Sequence, residues 1–212
     1  MKAQKNRPQV HYFQFDNWMN DPNGLVVNNG VFHLFYQANP GSKDWGNIGW
    51  GHATSTDLIK WCNQPHALYA SDTNMIFSGS AICSNKLLGY QEELVAFYTD
   101  CRYQYDDSGE FLVQQQTQCI AYSCGKGIEW HQHESNPIID INSADFRDPK
   151  VIPLDEGGWL MLVSRARKPA IDFYTSDNLK HWHLSSSFTD CDFRAGAWEC
   201  PDLDTIEIDS TP

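Results

Sequence analysis

Three acidic residues stand in unusual company. Asp21 lies in Asn20-Asp21-Pro22-Asn23-Gly24, Asp148 follows Arg147 and precedes Pro149, and Glu199 lies two residues before Pro201. Alone, the first stretch reads as a tight turn: Asp at its first position, Pro at its second and Gly at its fourth is the composition of a type I turn, with backbone donors that could hold the Asp21 carboxylate ionised. Carboxylates brought together from distant sequence positions suggest another use. One can attack an anomeric carbon while another, protonated, donates to the leaving oxygen, which is the chemistry of glycoside hydrolysis. A Glu beside two ionised Asp has its pKa raised by like charge, which suits an acid. Arg147 is expected to keep Asp148 charged, fitting it for hydrogen bonds. Trp18, Trp45 and Trp50 offer flat faces to a sugar ring, although each could equally be packed core.

What must position these groups is legible as a repeat. The windows GHATSTDLIKW (51–61), CIAYSCGKGIEW (119–130) and DFYTSDNLKHW (172–182) share a Ser, a polar turn and a closing Trp. Each is preceded by a hydrophobic run rich in β-branched and aromatic residues, VFHLFYQ (31–37), LVAFYTD (94–100) and WLMLVSR (159–165), which reads as a strand. Before each run comes an opening segment: NDPNGLVV, FSGSAIC and RDPKVIP, with a further opening, and an expected strand, from Trp198 in WECPDLDTIEI. Four antiparallel strands per unit, a loose period near 50 residues and no long helical periodicity give an all-β class with the blade pattern of a propeller. The first strand of each blade lines the propeller axis, so Asp21, Ser78, Asp148 and Glu199 are expected to converge there.

Composition narrows the partners. The chain has 212 residues and a net charge of −12, against nucleic acid or anionic membrane and permissive of a neutral small molecule. No apolar run reaches the length of a membrane span. No signal peptide is visible, so the expected location is cytoplasmic, or that of a processed secreted chain. Seven cysteines with no CxxC pair read as buried or free thiols, not as disulfides or a zinc site. His131 and His133 read as a surface pair.

The motifs WMNDPNG, LFYQANP, WGNIGWGHATSTDLIKW, FSGSA, FRDPK and WECPDL resemble, in order and over residues 11 to 203, the signatures of glycoside hydrolase family 32, the β-fructofuranosidases that include invertases, levanases and exo-inulinases. The resemblance implies a five-bladed β-propeller and a retaining double displacement on sucrose or fructans. It assigns Asp21 as nucleophile on fructose C2, Glu199 as general acid/base and Asp148 as transition-state stabiliser, with Asn20, Gln37, Trp45, Phe77, Ser78 and Arg147 lining the fructose subsite. It implies no metal and no cofactor. Two departures stand out: Ala38, where the family usually has an aromatic residue, and Asp100, where Gly is usual. Against that pattern the chain is expected to hold an incomplete propeller: blades at about 17–70, 71–140 and 141–190, the start of a fourth at 195–212, and no C-terminal β-sandwich. The ring would stay open, inviting self-association through blade edges and leaving Glu199 on an unsupported strand. Alternatives are a fructosyltransferase and a carbohydrate-binding fragment without turnover.

Overall fold

The computed structural model describes residues 11–84, 86–189 and 196–204. Among them no helix occurs, and thirteen strands form three antiparallel sheets. The first sheet runs in order β1 (Trp18–Asn28), β2 (Val31–Asn39), β3 (Gly49–Ser55) and β4 (Cys62–Leu68). The second runs β5 (Asn74–Cys83), β6 (Leu94–Tyr105), β7 (Phe111–Cys124) and β8 (Glu129–Gln132), with β9 (Ile139–Ser143) on the same side of β7 as β8, nearer that strand's start. The third runs β10 (Arg147–Pro153), β11 (Trp159–Arg165), β12 (Ala170–Ser176) and β13 (His183–Thr189). Each sheet is a blade, and the first strands β1, β5 and β10 stand side by side.

Local chemistry explains the recurring windows. In the first blade Ser55 Oγ accepts from the backbone N–H of Asp57 and Leu58, Asp57 Oδ1 accepts from Ile59 and Lys60, and Trp61 Nε1 donates to Leu58 O. The third blade repeats this with Ser176, Asn178 and Trp182. Short side chains thus take over the orphan backbone groups of the turn, and the indole closes it. In the second blade Trp130 Nε1 donates to Gly127 O in the same way.

The hydrophobic runs are continuous, not alternating, because the second strand of a blade is covered on both faces. Along β6, Ala96 and Tyr98 pack against Phe35, Trp50 and Leu68 of the first blade, while Val95 and Phe97 pack against Val151, Met161 and Val163 of the third. Burying these side chains is worth about 1.5–3 kcal/mol each, and it fixes the angle between blades. Polar stitches add direction. Trp50 Nε1 donates to Phe77 O across the first interface, and Ser80 Oγ donates to Pro149 O while accepting from Val151 N across the second.

Several expectations change here. Asp21-Pro22-Asn23-Gly24 is not a turn but lies inside β1, an eleven-residue strand whose register slips between Met19 and Pro22 and again between Asn23 and Val26. Gly24 is required at the second slip: its φ is +56°. A Cβ there would stand 2.9 Å from Phe35 and 3.0 Å from Trp50. His133 is no surface residue; it is buried and accepts from Ser135 N, while His131 is exposed. The segment from Trp198 forms no strand over 198–204; it is held by individual hydrogen bonds in place of a ladder, and residues 205–212 lie outside the described residues. The free thiols include buried Cys101 and Cys119, while Cys191 lies outside the described residues.

Beneath the first blade, His52 is fully buried, stacks on Phe35 with ring centroids 4.4 Å apart and meets His33 Nδ1 through Nε2 at 3.0 Å. Burial, then the neighbouring His33, pushes its pKa down to about 3. The folded ring therefore stays neutral where the unfolded one takes a proton. Its contribution to stability is complete above about pH 6.5 and is lost as the pH falls, with a limiting slope of about 1.4 kcal/mol per pH unit. His52→Phe keeps the stack and removes the titration. Urea unfolding of both proteins should show wild type losing stability relative to the variant from pH 6.5 to 5; a difference independent of pH would contradict this.

Candidate active site

The three first strands share one irregularity. In β1, Asn20 and Asp21 together oppose Gln37; in β5, Ser78 is the extra residue between Phe77 and Gly79; in β10, Asp148 and Pro149 together oppose Val163. Each is a β-bulge, which bends the strand and re-aims the side chain at the insertion. Because β1, β5 and β10 are neighbours, the three bulges open towards one space.

That space is a cavity of about 380 Å³. Its lining contains every residue the family resemblance assigned: Asn20, Asp21, Gln37, Trp45, Phe77, Ser78, Arg147, Asp148 and Glu199. Asp21 and Glu199 are exposed to it, whereas Gln37, Ser78 and Asp148 are buried at its walls. Ser78 Oγ has no hydrogen-bond partner among the described residues, leaving a buried hydroxyl free for a ligand. Of the three candidate Trp platforms only Trp45 lines the cavity, 47% exposed. Trp50 is fully buried in the interface between the first and second blades, and Trp18 packs on the Ile48–Met75–Cys101 cluster.

Arg147 organises the charges. Its Nη1 donates to Asp145 Oδ1 at 2.7 Å, and Nη2 and Nε both donate to Glu199 Oε1 at 3.0 and 3.2 Å. Burial alone would lower its pKa, but the bonds to Asp145 and Glu199 hold it above the ordinary value. Other contacts tether the Glu199 segment, so it does not ride unsupported. Trp198 N donates to Ala166 O at 3.1 Å, Ser164 Oγ donates to Trp198 O, and Lys150 pairs with Asp202 at 2.9 Å.

Asp148 departs most from expectation. Its φ is +64°, a left-handed conformation that costs a non-glycine residue of order 1–3 kcal/mol. Burial pushes its carboxyl up to about 6 despite Arg147, whose guanidinium turns to Asp145 and Glu199 instead; Cys200 N–H, donating to Oδ2 at 3.0 Å, and Arg147 only partly offset burial. Asp21 is also raised, by burial and then by the Glu199 charge. Among the described residues no backbone donor holds its carboxylate, which the turn reading had expected. Like-charge crowding therefore acts on both aspartates.

Sequence reasoning missed the support behind Asp148. Its N–H donates to Thr99 Oγ1, Thr99 donates to Gln118 Oε1, Gln118 Nε2 donates to Phe146 O, and Phe146 N donates to Gln116 Oε1, at 2.9, 2.9, 2.7 and 2.8 Å. Thr99, Gln116 and Gln118 are all buried. Each bond fixes the direction of the next, so the network clamps the backbone on both sides of the bulge. A signal existed: Gln114-Gln115-Gln116-Thr117-Gln118 is a run of polar residues inside β7, a strand with an otherwise buried core. Among the described residues no cluster of His, Cys, Asp or Glu could hold a metal ion.

Residues 11–211 match the Glycosyl hydrolases family 32 N-terminal domain. The chain is 44% identical over 225 residues to an extracellular exo-inulinase of Aspergillus niger, covering 96% of this chain and 42% of the relative. It is 43% identical to a levanase of Bacillus subtilis, covering 97% of this chain and 30% of that one. Among solved structures, the exo-inulinase of Aspergillus awamori superposes with a TM-score of 0.82 at 42% identity, over 91% of this chain and 42% of the other. The fructofuranosidase of Schwanniomyces occidentalis complexed with fructose gives 0.86 at 36%, over 97% and 41%. The chain thus spans about four-tenths or less of the length of these proteins.

Thr99→Val, nearly isosteric, leaves the Asp148 N–H and Gln118 Oε1 buried without partners. It should cost about 1–3 kcal/mol in urea unfolding, with Thr99→Ser costing less. Equal losses for the two variants would show that the hydroxyl does not hold the bulge.

Proposed function

The chain belongs to glycoside hydrolase family 32, and from that premise we propose that it carries the fructose site and catalytic groups of a retaining β-fructofuranosidase acting on sucrose or fructans. The observation that carries this reading is the convergence of Asp21, Asp148 and Glu199 on one cavity, with the six proposed fructose-binding residues around them. A cavity of about 380 Å³ is within the range of small-molecule sites, and its polar walls with the aromatic side chains of Trp45, Phe77 and Phe111 suit a neutral sugar.

In the proposed reaction Asp21 attacks C2 of the terminal fructosyl unit. The C2–oxygen bond breaks as Glu199 gives its proton to the leaving oxygen, forming a fructosyl–enzyme ester. Glu199, now a carboxylate, takes a proton from water; the water oxygen bonds to C2, Asp21 leaves, and configuration is retained. Arg147 holds Glu199 through Oε1, so Oε2 is the oxygen assigned to carry the proton. Asp148, fixed by its bulge and by Cys200 N–H, accepts hydrogen bonds from sugar hydroxyls as positive charge develops on the ring. Gln37, Ser78 and Asn20 supply further polar contacts, and Trp45 and Phe77 supply apolar faces.

Self-association forms part of the proposal. Leu25 and Val27 on β1 and Leu184 on β13 are 65, 50 and 54% exposed in the first and third blades, apolar surface suited to a second copy. Sedimentation velocity should show dimers growing with concentration; a monomer at every concentration would remove this part.

The reaction is tested by measuring glucose release from sucrose by the protein and by Asp21→Asn and Glu199→Gln. Each variant should lose at least about a thousandfold in kcat, in keeping with removal of a nucleophile or an acid/base group. Activity that survives either substitution would overturn the corresponding assignment.

A further inference from the structure

The Glu199 side chain is 57% exposed, whereas Arg147 and Asp145 are only 14 and 19% exposed. An ion pair to so exposed a carboxylate holds weakly by itself, so its direction depends on how firmly the guanidinium is fixed. Asp145 fixes it. Nε and Nη2 form one edge of the guanidinium plane, and both meet Glu199 Oε1; the remaining nitrogen, Nη1, meets Asp145 Oδ1 at 2.7 Å. A planar fork held at both ends has no freedom to turn. A competing partner stands beside it. Asp148 is the next residue in the chain, and its charge also acts on Arg147.

Asp145 is itself held on two sides. Its N–H donates to Ser143 Oγ at 3.0 Å, and its Oδ2 accepts from Arg167 N at 2.6 Å. Arg167 lies in the hairpin between β11 and β12, and the residue before it, Ala166, accepts from Trp198 N at 3.1 Å. The hairpin therefore grips both the residue before Glu199 and the carboxylate that aims Arg147 at Glu199. Asp145, Arg147, Glu199, Trp198, Ala166 and Arg167 close into one circuit, alternating hydrogen bonds with stretches of backbone. A single ion pair fixes one distance; a circuit fixes each member against its neighbours.

We propose that Asp145 is a positioning residue for proton donation: it holds Arg147 on Glu199 Oε1 and away from Asp148, so that Oε2 is left to face the leaving oxygen. The inference rests on the reading of Glu199 as the general acid/base and adds to it a residue outside the cavity lining. Asp145→Asn breaks the circuit at one point, because an amide cannot accept on both sides. With its oxygen towards Arg147, its NH2 faces the Arg167 N–H; with the amide turned over, its NH2 faces Nη1.

Asp21, Asp148 and Arg167 face the same space, so a pH profile would mix several groups, whereas dependence on the leaving group isolates the acid. The test is kcat/KM of the whole chain for sucrose and for p-nitrophenyl β-fructofuranoside, whose nitrophenolate leaves without a proton. Both are measured on one sample, so the folded fraction cancels in their ratio. In Asp145→Asn the ratio of the sucrose value to the nitrophenyl value should fall about tenfold or more relative to the unsubstituted protein, a misplaced acid losing part of the roughly hundredfold or greater gain of general acid catalysis. Asp145→Ala, which removes both acceptors, should show the same fall and serves where the amide variant does not fold. A ratio equal to that of the unsubstituted protein would overturn the positioning role while leaving the reaction reading intact. Failure of the unsubstituted protein to hydrolyse either substrate would instead count against the reaction reading, and against the role built on it.

Discussion

The extra residue in each inner strand is the constraint on which the site depends. A regular antiparallel strand points alternate side chains into the two blade interfaces, and both interfaces here are filled with apolar residues. A carboxylate placed regularly on β1 or β10 would face that apolar packing or the neighbouring strand. Inserting one residue into β1, β5 and β10 at the same end of the blade stack breaks the alternation once per blade. It frees Asp21, Ser78 and Asp148 to face the axis. At Asp148 the cost is visible as a left-handed backbone, and the Thr99–Gln118–Phe146–Gln116 network holds it there.

Electrostatics follows from that geometry. Asp145, Asp148 and Glu199 lie around the Arg147 guanidinium, and Arg167 is a second cation in the cavity lining. Arg147 spends its donors on Asp145 and Glu199, one from the loop before β10 and one from the segment beyond β13. Asp148 is left to burial and to Cys200 N–H, and its carboxyl rises to about 6. The arrangement separates the acids by environment: Asp21 and Glu199 exposed to the cavity, Asp148 buried behind them. Environments that differ in this way let like groups take different roles.

Much of this was legible in the sequence. The all-β class and the blade unit follow from the repeated Ser-turn-Trp window and from hydrophobic runs too continuous for a sheet with one wet face. That β6 contacts both neighbouring blades is the physical reason for that continuity. The acids and their Pro neighbours marked the bulged positions of β1 and β10, but the strand expected at Glu199 does not form. Asp-Pro-Asn-Gly misled, because a bulge and a turn draw on the same residues, and only pairing with β2 distinguishes them. The charge state of Asp148 was misjudged because adjacency to Arg147 in sequence says nothing of where the guanidinium points. Trp50 and His133 show that burial of a particular aromatic ring is a property of the packed blades, not of its local window. The Gln-rich stretch of β7 stayed unread because its partners lie elsewhere in the chain, Thr99 on β6 and Phe146 in the loop before β10.

The central claim is that two bulged strands and the segment beyond β13 aim acids from distant parts of the chain at one sugar ring. A crystal structure of the protein with bound fructose tests it most directly. The account predicts the ring in the cavity between Trp45 and Arg147, with the Asp21 carboxylate facing C2 and Asp148 accepting from ring hydroxyls. Fructose bound elsewhere, or bound in the cavity with C2 turned away from Asp21, would contradict it.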